Sequence, residues 1–250
     1  MSPAATGLAG RTALVTGGGT GIGAAVAREL AARGARVVLV GRGAERLEAV
    51  AISVREAGGD ALALPGDVRD LALLEAIDAA CERVDVLVSN AAVFAPYAPL
   101  EDVALDDIAD VLDVDLAAAL RLTRHVLRGM KERGWGRIVH IGSVAGSLGA
   151  ANQVAYATAK AGLEGLTRAV AVEAARFGVT CNLVEPGLVG TERALTKISE
   201  ETRTDLTRST PAGRPGTPDE IAHAVSFLAG DAAAAITGAT LPLDGGIGLR

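Results

Sequence analysis

Aromatic side chains are scarce in this sequence: phenylalanine, tyrosine and tryptophan make up 2% of the 250 residues, whereas 50% of the residues are hydrophobic. This scarcity argues against a ligand pocket built from stacked aromatic rings. The core must instead be aliphatic, formed by alanine, valine, leucine and isoleucine. Such a core suits strands that are buried on both faces and helices that pack closely on them.

Cysteine and histidine are also rare, with two and three residues. Cys81 and Cys181 are too few and too isolated for a disulfide framework or a zinc site, and each lies in an apolar segment. We therefore expect two buried thiols. His125, His140 and His223 have no partner at metal-ligand spacing, so we expect packing roles for them and predict no metal site.

The sequence has no excess of positive charge. A net charge of −6 leaves no basic stripe of the kind that nucleic-acid binding requires. No apolar run reaches the roughly 18 to 20 residues that cross a bilayer, and the first residues lack the charged-then-apolar pattern of a signal peptide. We expect no nucleic-acid partner, no membrane partner and a cytoplasmic location.

What the sequence does contain is a continuous alternation of strand-like and helix-like segments. No linker, charge block or low-complexity run divides it, so residues 1–250 are predicted to form a single domain. The predicted strands are Thr12–Thr16, Ala35–Val40, Ala61–Leu64, Val84–Ser89, Arg137–Ile141, Val179–Val184 and Ala239–Leu243. The fold class is therefore α/β: a Rossmann-type, doubly wound parallel sheet of about seven strands with helices on both faces.

Between these strands the apolar periodicity predicts helices. The main ones end near Arg33 and Cys81 or cover Glu45–Ala57, Leu105–Arg133, Asn152–Phe177 and Asp219–Ala229. The stretch Leu188–Pro218 is the least regular, with polar residues and several prolines. A long irregular insertion beside strand ends is typical of a substrate lid.

Glycines follow the first predicted strand directly. Gly17, Gly21 and Gly23 have the spacing G-x-x-x-G-x-G and precede an amphipathic helix. Glycines allow the backbone to turn sharply and a pyrophosphate to approach the helix N-terminus, where free N–H groups favour an anion. A purely structural turn would need the same glycines, but the flanking strand and helix favour a dinucleotide site.

The end of the second predicted strand bears on the choice of dinucleotide. This position faces the adenosine ribose in such folds, and an acidic residue there would bind the free 2′-hydroxyl of NAD. The sequence has Gly41 followed by Arg42 instead. Because a guanidinium suits a 2′-phosphate, NADP(H) is favoured over NAD(H), the alternative being that Arg42 is a solvated loop residue.

Tyr156 and Lys160 are four residues apart in a predicted helix and so share one face. A free tyrosine titrates near ~10, which is too high for acid–base work at neutral pH, but a fixed cation favours its phenolate. The pair is therefore a candidate acid–base site. A chance surface pair on an alanine-rich helix would have the same spacing.

Several of these segments match one known pattern in order. The glycine turn from Thr16 to Gly23, the Tyr156 and Lys160 pair preceded by Ser143, and the tail from Gly213 to Gly246 are the main matches. Over essentially its whole length the sequence resembles the classical short-chain dehydrogenase/reductase family, and the tail is similar to that of 3-oxoacyl-carrier-protein reductases. The resemblance implies a homo-oligomer, a tetramer or a dimer.

The resemblance also assigns residues to the cofactor. Asp67 and Val68 look like the adenine contact, the segment Ser89–Ala92 looks like the N-N-A-G segment with two substitutions, and the residues after Pro186 look like the nicotinamide contact. The implied cofactor-binding residues are Gly17, Gly19, Thr20, Gly21, Ile22, Gly23, Arg42, Asp67, Val68, Asn90, Ala91, Tyr156, Lys160, Pro186, Gly187, Val189 and Thr191.

By the same resemblance, Ser143, Tyr156 and Lys160 match the catalytic triad of the family. Ser143 would hydrogen-bond the carbonyl oxygen of the substrate, Tyr156 would give it a proton, and Lys160 would hold the nicotinamide ribose. The implied activity is the NADPH-dependent reduction of a ketone, either a 3-oxoacyl thioester or a biosynthetic ketone. Alternatives are an alcohol dehydrogenase that works toward oxidation and a nucleotide-binding sensor with little turnover.

Asp115 departs from the family pattern. The family usually has asparagine here, in V-L-D-V-N-L, where it holds a water that relays protons to the lysine; this sequence reads V-L-D-V-D-L. At an expected separation of roughly 7 Å and a dielectric of about 20, an ionised Asp115 would act on Lys160 with about 2 kcal/mol. We hypothesise that Asp115 tunes the relay; a protonated carboxyl and a harmless local variant are the alternatives.

Overall fold

The computed structural model describes residues 7–249, apart from the side chains of Leu195 and Lys197. Seven parallel strands form one sheet in the order β3-β2-β1-β4-β5-β6-β7. The strands are β1 Thr12–Thr16, β2 Arg36–Gly41, β3 Asp60–Pro65, β4 Val86–Ser89, β5 Gly136–Ile141, β6 Val179–Pro186 and β7 Thr240–Leu243. The predicted fold class is confirmed, and each predicted strand agrees within about two residues.

Ten α-helices connect the strands within residues 7–249. They are α1 Gly21–Ala32, α2 Ala44–Glu56, α3 Ala72–Ala80, α4 Leu105–Leu112, α5 Ala118–Arg133, α6 Val144–Leu148, α7 Val154–Ala174, α8 Glu192–Lys197, α9 Glu200–Ser209 and α10 Pro218–Ala229. None of the helices in this range is both long enough and apolar enough to span a membrane.

The core is aliphatic on both faces of the sheet, as the composition predicts. On one face β1 and β2 pack against α1, α2 and α10, and on the other β4 and β5 pack against α3, α5 and α7. The central strands β4, β5 and β6 are buried throughout, which explains why their sequences are mainly apolar. Cys81 and Cys181 are buried free thiols, as expected.

Two helical predictions need correction. The stretch Leu105–Arg133 is not one regular helix, because a π-helical segment, Asp113–Ala117, separates α4 from α5. The stretch Leu188–Pro218 is not mainly irregular, since it contains α8 and α9. Thr191 and Ser199 cap these helices by accepting hydrogen bonds from Ala194 and Thr202. Both helices are short and polar, so apolar periodicity could not reveal them.

The strand order reverses direction between β1 and β4, since β2 and β3 lie on one side of β1 and the later strands on the other. In open parallel sheets the loops at the carboxyl ends of two such strands separate and leave a cleft. Thr16, at the end of β1, accepts hydrogen bonds from the backbone N–H groups of Asn90 and Ala91, which follow β4. These hydrogen bonds fix the end of β1 against the residues that follow β4, where the cleft begins.

Candidate active site

Lys160, on α7, is almost completely buried, with 4% of its surface exposed. Its Nζ donates a hydrogen bond to the carbonyl oxygen of Ile141 at 3.1 Å. The same atom lies 5.4 Å from the centre of the Tyr156 ring and 3.4 Å from Oδ2 of Asp115. The ammonium group is thus fixed at the end of β5, beside the tyrosine that the helical spacing predicts.

Asp115 is much closer to Lys160 than expected, and the expected separation of roughly 7 Å is wrong. The carboxylate is buried; Oδ1 accepts a hydrogen bond from the Val93 N–H at 2.7 Å and Oδ2 faces Lys160 at 3.4 Å. The reason is close packing, because a Cβ atom on Gly162 of α7 would lie 2.7 Å from the side chain of Leu116. The missing side chain lets α7 rest directly on the π-helical segment.

Two opposing effects act on the Asp115 carboxyl. Burial raises its pKa, while the charge of Lys160 and the hydrogen bond from the Val93 N–H lower it, with burial the larger effect. An ammonium at 3.4 Å and a backbone donor at 2.7 Å both favour the ionised form. We therefore treat the pair at neutral pH as a buried ion pair.

Ser143 is the second residue after β5 and forms the N-cap of the short helix α6. Its Oγ accepts a hydrogen bond from the backbone N–H of Ala145 at 3.2 Å. Because the oxygen serves as acceptor in the cap, the hydroxyl proton is left to donate to another group. The sequence predicts Ser143 but not α6, which is only five residues long.

Gly146 fixes the distance between α6 and α7. A Cβ atom at this position would lie 2.8 Å from the backbone nitrogen of Ala161 and 2.9 Å from the carbonyl carbon of Lys160. These neighbours are backbone atoms, so they could not move aside. The absent side chain allows α6, with Ser143 at its start, to pack directly on the turn of α7 that carries Lys160.

A small aliphatic recess lies beside Tyr156. It is open to solvent and is lined by Ala95, Pro96, Leu100, Val103, Ile108, Asn152, Gln153, Val154 and Ala155. Gln153 donates a hydrogen bond to the carbonyl oxygen of Ala95, while its buried Oε1 has no hydrogen-bond partner among the described residues. The recess thus offers mainly apolar walls.

Two further side chains near Tyr156, those of Phe94 and Arg193, are not predicted from the sequence. The ring of Phe94 lies 4.5 Å from that of Tyr156, and the guanidinium carbon of Arg193 lies 4.4 Å above the Phe94 ring. Arg193 also donates a hydrogen bond to the carbonyl oxygen of Ala92 at 2.7 Å. Its position two residues after Thr191, in the segment assigned to the cofactor, is the signal that could have identified it.

The glycine turn after β1 has the features of an anion-binding loop. Gly17 and Gly21 have φ angles of 64° and 52°, and a Cβ atom on Gly23 would lie 2.2 Å from the carbonyl oxygen of Gly17. Thr20 is the N-cap of α1 but makes no side-chain capping hydrogen bond. The first N–H groups of α1, including that of Ile22, therefore face the cleft without a side-chain cap.

Asn90 and Ala91 hold the turn in place. The side chain of Asn90 donates hydrogen bonds to the carbonyl oxygens of Thr16 and Gly17. A Cβ atom on Gly17 would lie 2.8 Å from this side chain and 3.1 Å from Ala91. The structure thus gives Asn90 a positioning contact with the loop.

The adenosine end of the cleft is basic. Arg42 follows β2 directly and is exposed, and a Cβ atom on Gly19 would lie 3.3 Å from the side chain of Arg46, which the sequence analysis did not select. Asp67 is held by Arg69, whose hydrogen bonds lower the pKa of its carboxyl to about 2. Val68 is buried beside it.

The opposite wall of the cleft starts at the end of β6. Pro186 is the last residue of that strand, and Gly187 packs so closely on Asp244 that a Cβ atom would lie 3.0 Å from its Cα. Val189 is buried, and the side chain of Thr191 would lie 3.2 Å from a Cβ atom on Gly21. The predicted nicotinamide segment therefore faces the glycine turn across the groove.

No group of three or more histidine, cysteine, aspartate or glutamate side chains is placed to hold a metal ion within the described part of the chain. His125 is hydrogen-bonded to Asp78 at 2.8 Å, and His223 lies 3.8 Å from Glu29. His140 is fully buried in β5.

The chain is similar to known proteins over nearly its whole length. The family model described as enoyl-(acyl carrier protein) reductase matches residues 17–248. The chain is 41% identical over 240 residues to cis-4-hydroxycyclohexanecarboxylate dehydrogenase of Sinomonas cyclohexanicum, covering 94% of this chain and 96% of the relative. It is also 41% identical over 246 residues to a 3-oxoacyl-(acyl-carrier-protein) reductase of Pseudomonas aeruginosa, covering 96% and 98%.

Among solved structures, a proposed NAD(P) dependent gluconate 5-dehydrogenase from Beutenbergia cavernae superposes with a TM-score of 0.92. It is 41% identical, and the match covers 98% of this chain and 99% of the other. That structure contains NADP at low occupancy. Sequence motifs, sheet topology and whole-length similarity agree, and the chain belongs to the classical short-chain dehydrogenase/reductase family, a family of NAD(P)-dependent oxidoreductases.

Proposed function

We propose that the protein is an NADPH-dependent reductase that acts on the carbonyl group of a ketone, with Tyr156 as the proton donor. The observation that carries this proposal is the buried ammonium of Lys160, fixed 5.4 Å from the Tyr156 ring by Ile141 and Asp115. A fixed cation beside a phenol stabilises the phenolate that remains after proton donation. A 3-oxoacyl thioester and a biosynthetic ketone are both suitable substrate classes.

Each side chain has a separate task in this proposal. Ser143 donates its free hydroxyl proton to the carbonyl oxygen, which becomes negatively charged during reduction. Tyr156 transfers its proton to that oxygen, and Lys160 stabilises the resulting phenolate. Asp115 holds Lys160 and limits the positive charge that the phenol experiences, because its carboxylate lies 3.4 Å from Nζ.

The residues along the cleft fit NADP(H). The glycine turn offers backbone N–H groups to a diphosphate, and Arg42 and Arg46 supply positive charge where a 2′-phosphate would lie. Pro186, Gly187, Val189 and Thr191 form the wall for the nicotinamide. When bound, the cofactor supplies the hydride, while the protein supplies orientation and the proton. A related structure with bound NADP supports this choice.

A second candidate function is the oxidation of an alcohol by the same residues. It is favoured by the similarity to a dehydrogenase of a hydroxycyclohexane carboxylate. In that direction Tyr156 acts as the base, so oxidation needs the phenolate and should become faster at higher pH. The rates of NADPH consumption and NADP⁺ reduction, measured with a ketone and its alcohol over a range of pH, decide between the two directions.

We also propose that the chain is one domain with a substrate lid at 188–218, formed largely by α8 and α9, and that it works in the cytoplasm as a homotetramer or dimer. Exposed apolar side chains on α4, α5 and α7 support association: Leu105 is 81% exposed, Leu120 48% and Val172 84%. Burial of these side chains against a second copy would remove apolar surface from water, which is favourable.

The experiment that tests the activity is NADPH consumption over a panel of ketones by the wild-type protein, Tyr156→Phe and Tyr97→Phe. Tyr97, the other tyrosine of the chain, is half-exposed and serves as the control. We expect Tyr156→Phe to lose at least about 100-fold in kcat, because general acid catalysis is removed, and Tyr97→Phe to stay near wild type. NADPH binding without consumption across the panel would favour a sensor instead.

A further inference from the structure

Arg193 places a positive charge at the entrance to the candidate site. It belongs to the first turn of α8, and its side chain crosses to the opposite wall, where it donates a hydrogen bond to the carbonyl oxygen of Ala92 at 2.7 Å. The guanidinium group also covers the ring of Phe94, with 4.4 Å between Cζ and the ring centre. The arginine therefore spans the cleft from one wall to the other.

The guanidinium lies within reach of a substrate at Tyr156. Phe94 contacts both side chains, with its ring 4.5 Å from that of Tyr156 and 4.4 Å from Cζ of Arg193. Cζ of Arg193 therefore lies at most about 9 Å from the centre of the Tyr156 ring, the sum of the two distances. This upper bound matches the length of a six-membered ring or a short carbon chain between a carbonyl at Tyr156 and a charged group at Arg193.

The positive charge of Arg193 is not neutralised locally. Within residues 7–249 no carboxylate lies at ion-pair distance from its guanidinium. Asp115 is near enough to act on it electrostatically, but that carboxylate is already paired with Lys160. Burial and the charge of Arg42 lower the pKa of Arg193, while Asp115 and Tyr156 raise it. Arg193 is exposed, so its guanidinium can be reached by a ligand, and an arginine without an ion pair is a good site for an anion.

The surroundings favour an organic anion with an apolar body. The recess beside Tyr156 is lined mainly by aliphatic side chains, including those of Val103, Ile108 and Val154. Phe94, which precedes the lining residue Ala95, adds an aromatic surface in contact with both Tyr156 and Arg193. Apolar side chains and a cation near the same tyrosine match a molecule with a hydrocarbon body and one charged end.

We propose that Arg193 binds the carboxylate of the substrate, so that the protein prefers oxo-carboxylates to neutral ketones. This inference rests on the proposed ketone reduction and narrows its substrate class. Arg193 would exchange its hydrogen bond to Ala92 for a charge-assisted contact with the carboxylate. Thioesters and simple esters lack that charge and would lose this contact.

The test compares 4-oxocyclohexanecarboxylate with its methyl ester, two ketones that differ in the charge at the far end of the ring. Wild type should show about a 10- to 100-fold higher kcat/KM for the acid, the range expected for a hydrogen bond between charged groups. Arg193→Gln should bring the ratio of kcat/KM for acid and ester close to one. Arg193→Lys should keep part of it, since it retains the charge.

Arg176→Gln, at an exposed position between α7 and β6, is the control and should behave as wild type. The anion that Arg193 binds could be the carboxylate of the substrate or the diphosphate of the cofactor. The Kd for NADPH, measured by fluorescence titration, distinguishes the two. If Arg193→Gln weakens NADPH binding and leaves the ratio of acid to ester unchanged, the arginine binds the cofactor diphosphate and the proposal is wrong. A wild-type protein that does not distinguish acid from ester would also overturn it.

Calorimetric titration of the two compounds tests the carboxylate site at Arg193 independently of the ketone reductase activity. If wild type consumes no NADPH with either ketone but binds the acid more tightly than the ester, and Arg193→Gln loses this difference, the ketone reductase assignment fails and the carboxylate site stands. If binding of the two compounds is equal and turnover is normal, the reductase assignment stands and the carboxylate site fails.

Discussion

Asp115 and Lys160 form a buried ion pair at the back of the candidate site. At 3.4 Å and an effective dielectric of about 20, their attraction before desolvation is about 5 kcal/mol, more than twice the value expected from the sequence. Both groups lose most of their hydration, so the net contribution to stability is much smaller. The main effect of Asp115 is therefore electrostatic: its charge partly cancels that of Lys160 at the Tyr156 phenol.

Replacement of Asp115 by asparagine should shift the pH dependence of alcohol oxidation to lower pH by about one unit. The neutral side chain removes a negative charge behind Lys160, so the ammonium acts more strongly on the phenol and the phenolate forms at lower pH. The acid limb of log kcat against pH measures this shift. Asp113→Asn, in the same π-helical segment but paired with Arg121, is the control.

An identical acid limb in wild type and Asp115→Asn would mean that the charge at this position does not act on Tyr156.

At this scale the sequence predicts residue types and spacings but not contacts across the fold. Tyr156 and Lys160 could be predicted because four residues in a helix define a shared face. The 3.4 Å approach of Asp115 could not, because it depends on the packing of Gly162 against Leu116. Arg193 was missed for the same reason, since only the structure shows it crossing to Ala92.

The contact between α6 and α7 sets the position of Ser143 relative to Lys160. This arrangement depends on a glycine at position 146, where an added Cβ would lie within 2.9 Å of the Lys160 carbonyl carbon. Helices that approach this closely cannot be separated slightly without moving both functional groups. The geometry of the site therefore depends on how α6 and α7 pack together more than on either helix alone.

Gly146→Ala should lower both activity and stability. The extra methyl group meets backbone atoms, and overpacking of this kind costs about 1–3 kcal/mol. For a chain of this size, each kcal/mol corresponds to about 2–4 °C in Tm. Scanning calorimetry and kcat should both show the loss, with at least a tenfold fall in kcat expected because Ser143 is displaced.

Gly165→Ala, also in α7, is the matched control because a Cβ atom there meets nothing within 4 Å. It should keep its activity and gain slightly in stability, since alanine is the better helix former. Equal behaviour of the two variants would contradict the role given to Gly146.

The elements that the sequence predicts well are those with a long apolar pattern. The central strands β4, β5 and β6 are buried throughout and α7 is 21 residues long, so periodicity and composition identify them. Helix α6 is too short for a period, and α8 and α9 are polar. The π-helical segment gives no signal at all, because its sequence continues the pattern of α4.

The stability of the folded protein at low pH depends in part on one buried histidine. His140 is fully buried in the central strand β5, and neither ring nitrogen has a hydrogen-bond partner among the described residues. Burial, and next the charge of Lys160, lower its pKa from 6.5 to about 4. Because the folded state favours the neutral ring, the unfolded chain takes up the proton at higher pH than the folded protein does.

His140→Leu should therefore make the protein less sensitive to acid. The stabilisation linked to the neutral ring is complete above pH 6.5 and is lost as pH falls toward 4, a total of about 3 kcal/mol. Urea unfolding at pH 7 and pH 4.5 should show a smaller drop in the free energy of unfolding for the variant than for wild type. His223→Gln, at an exposed position on α10, should leave the drop unchanged.

Association of whole molecules should depend on the exposed apolar positions of α5 and α7. Analytical ultracentrifugation of wild type should give a multiple of the 25.2 kDa chain mass. A glutamate at Val172 or Leu120 would have to lose its hydration in an interface, so Val172→Glu and Leu120→Glu should lower the sedimenting mass. Ile52→Glu, at a 43% exposed position on α2, should not.

The π-helical segment Asp113–Ala117 also limits the changes in length that the coding sequence tolerates. A π-helical turn contains one residue more than the α-helix on either side, so loss of a single codon there would restore a continuous helix. The shortened helix would remain compatible with folding, but the residues before the deletion would rotate by about 100° relative to those after it. Codons 113–117 are thus constrained in number as well as in identity. A single in-frame deletion among them would leave the fold intact but turn residues of this segment away from the candidate site.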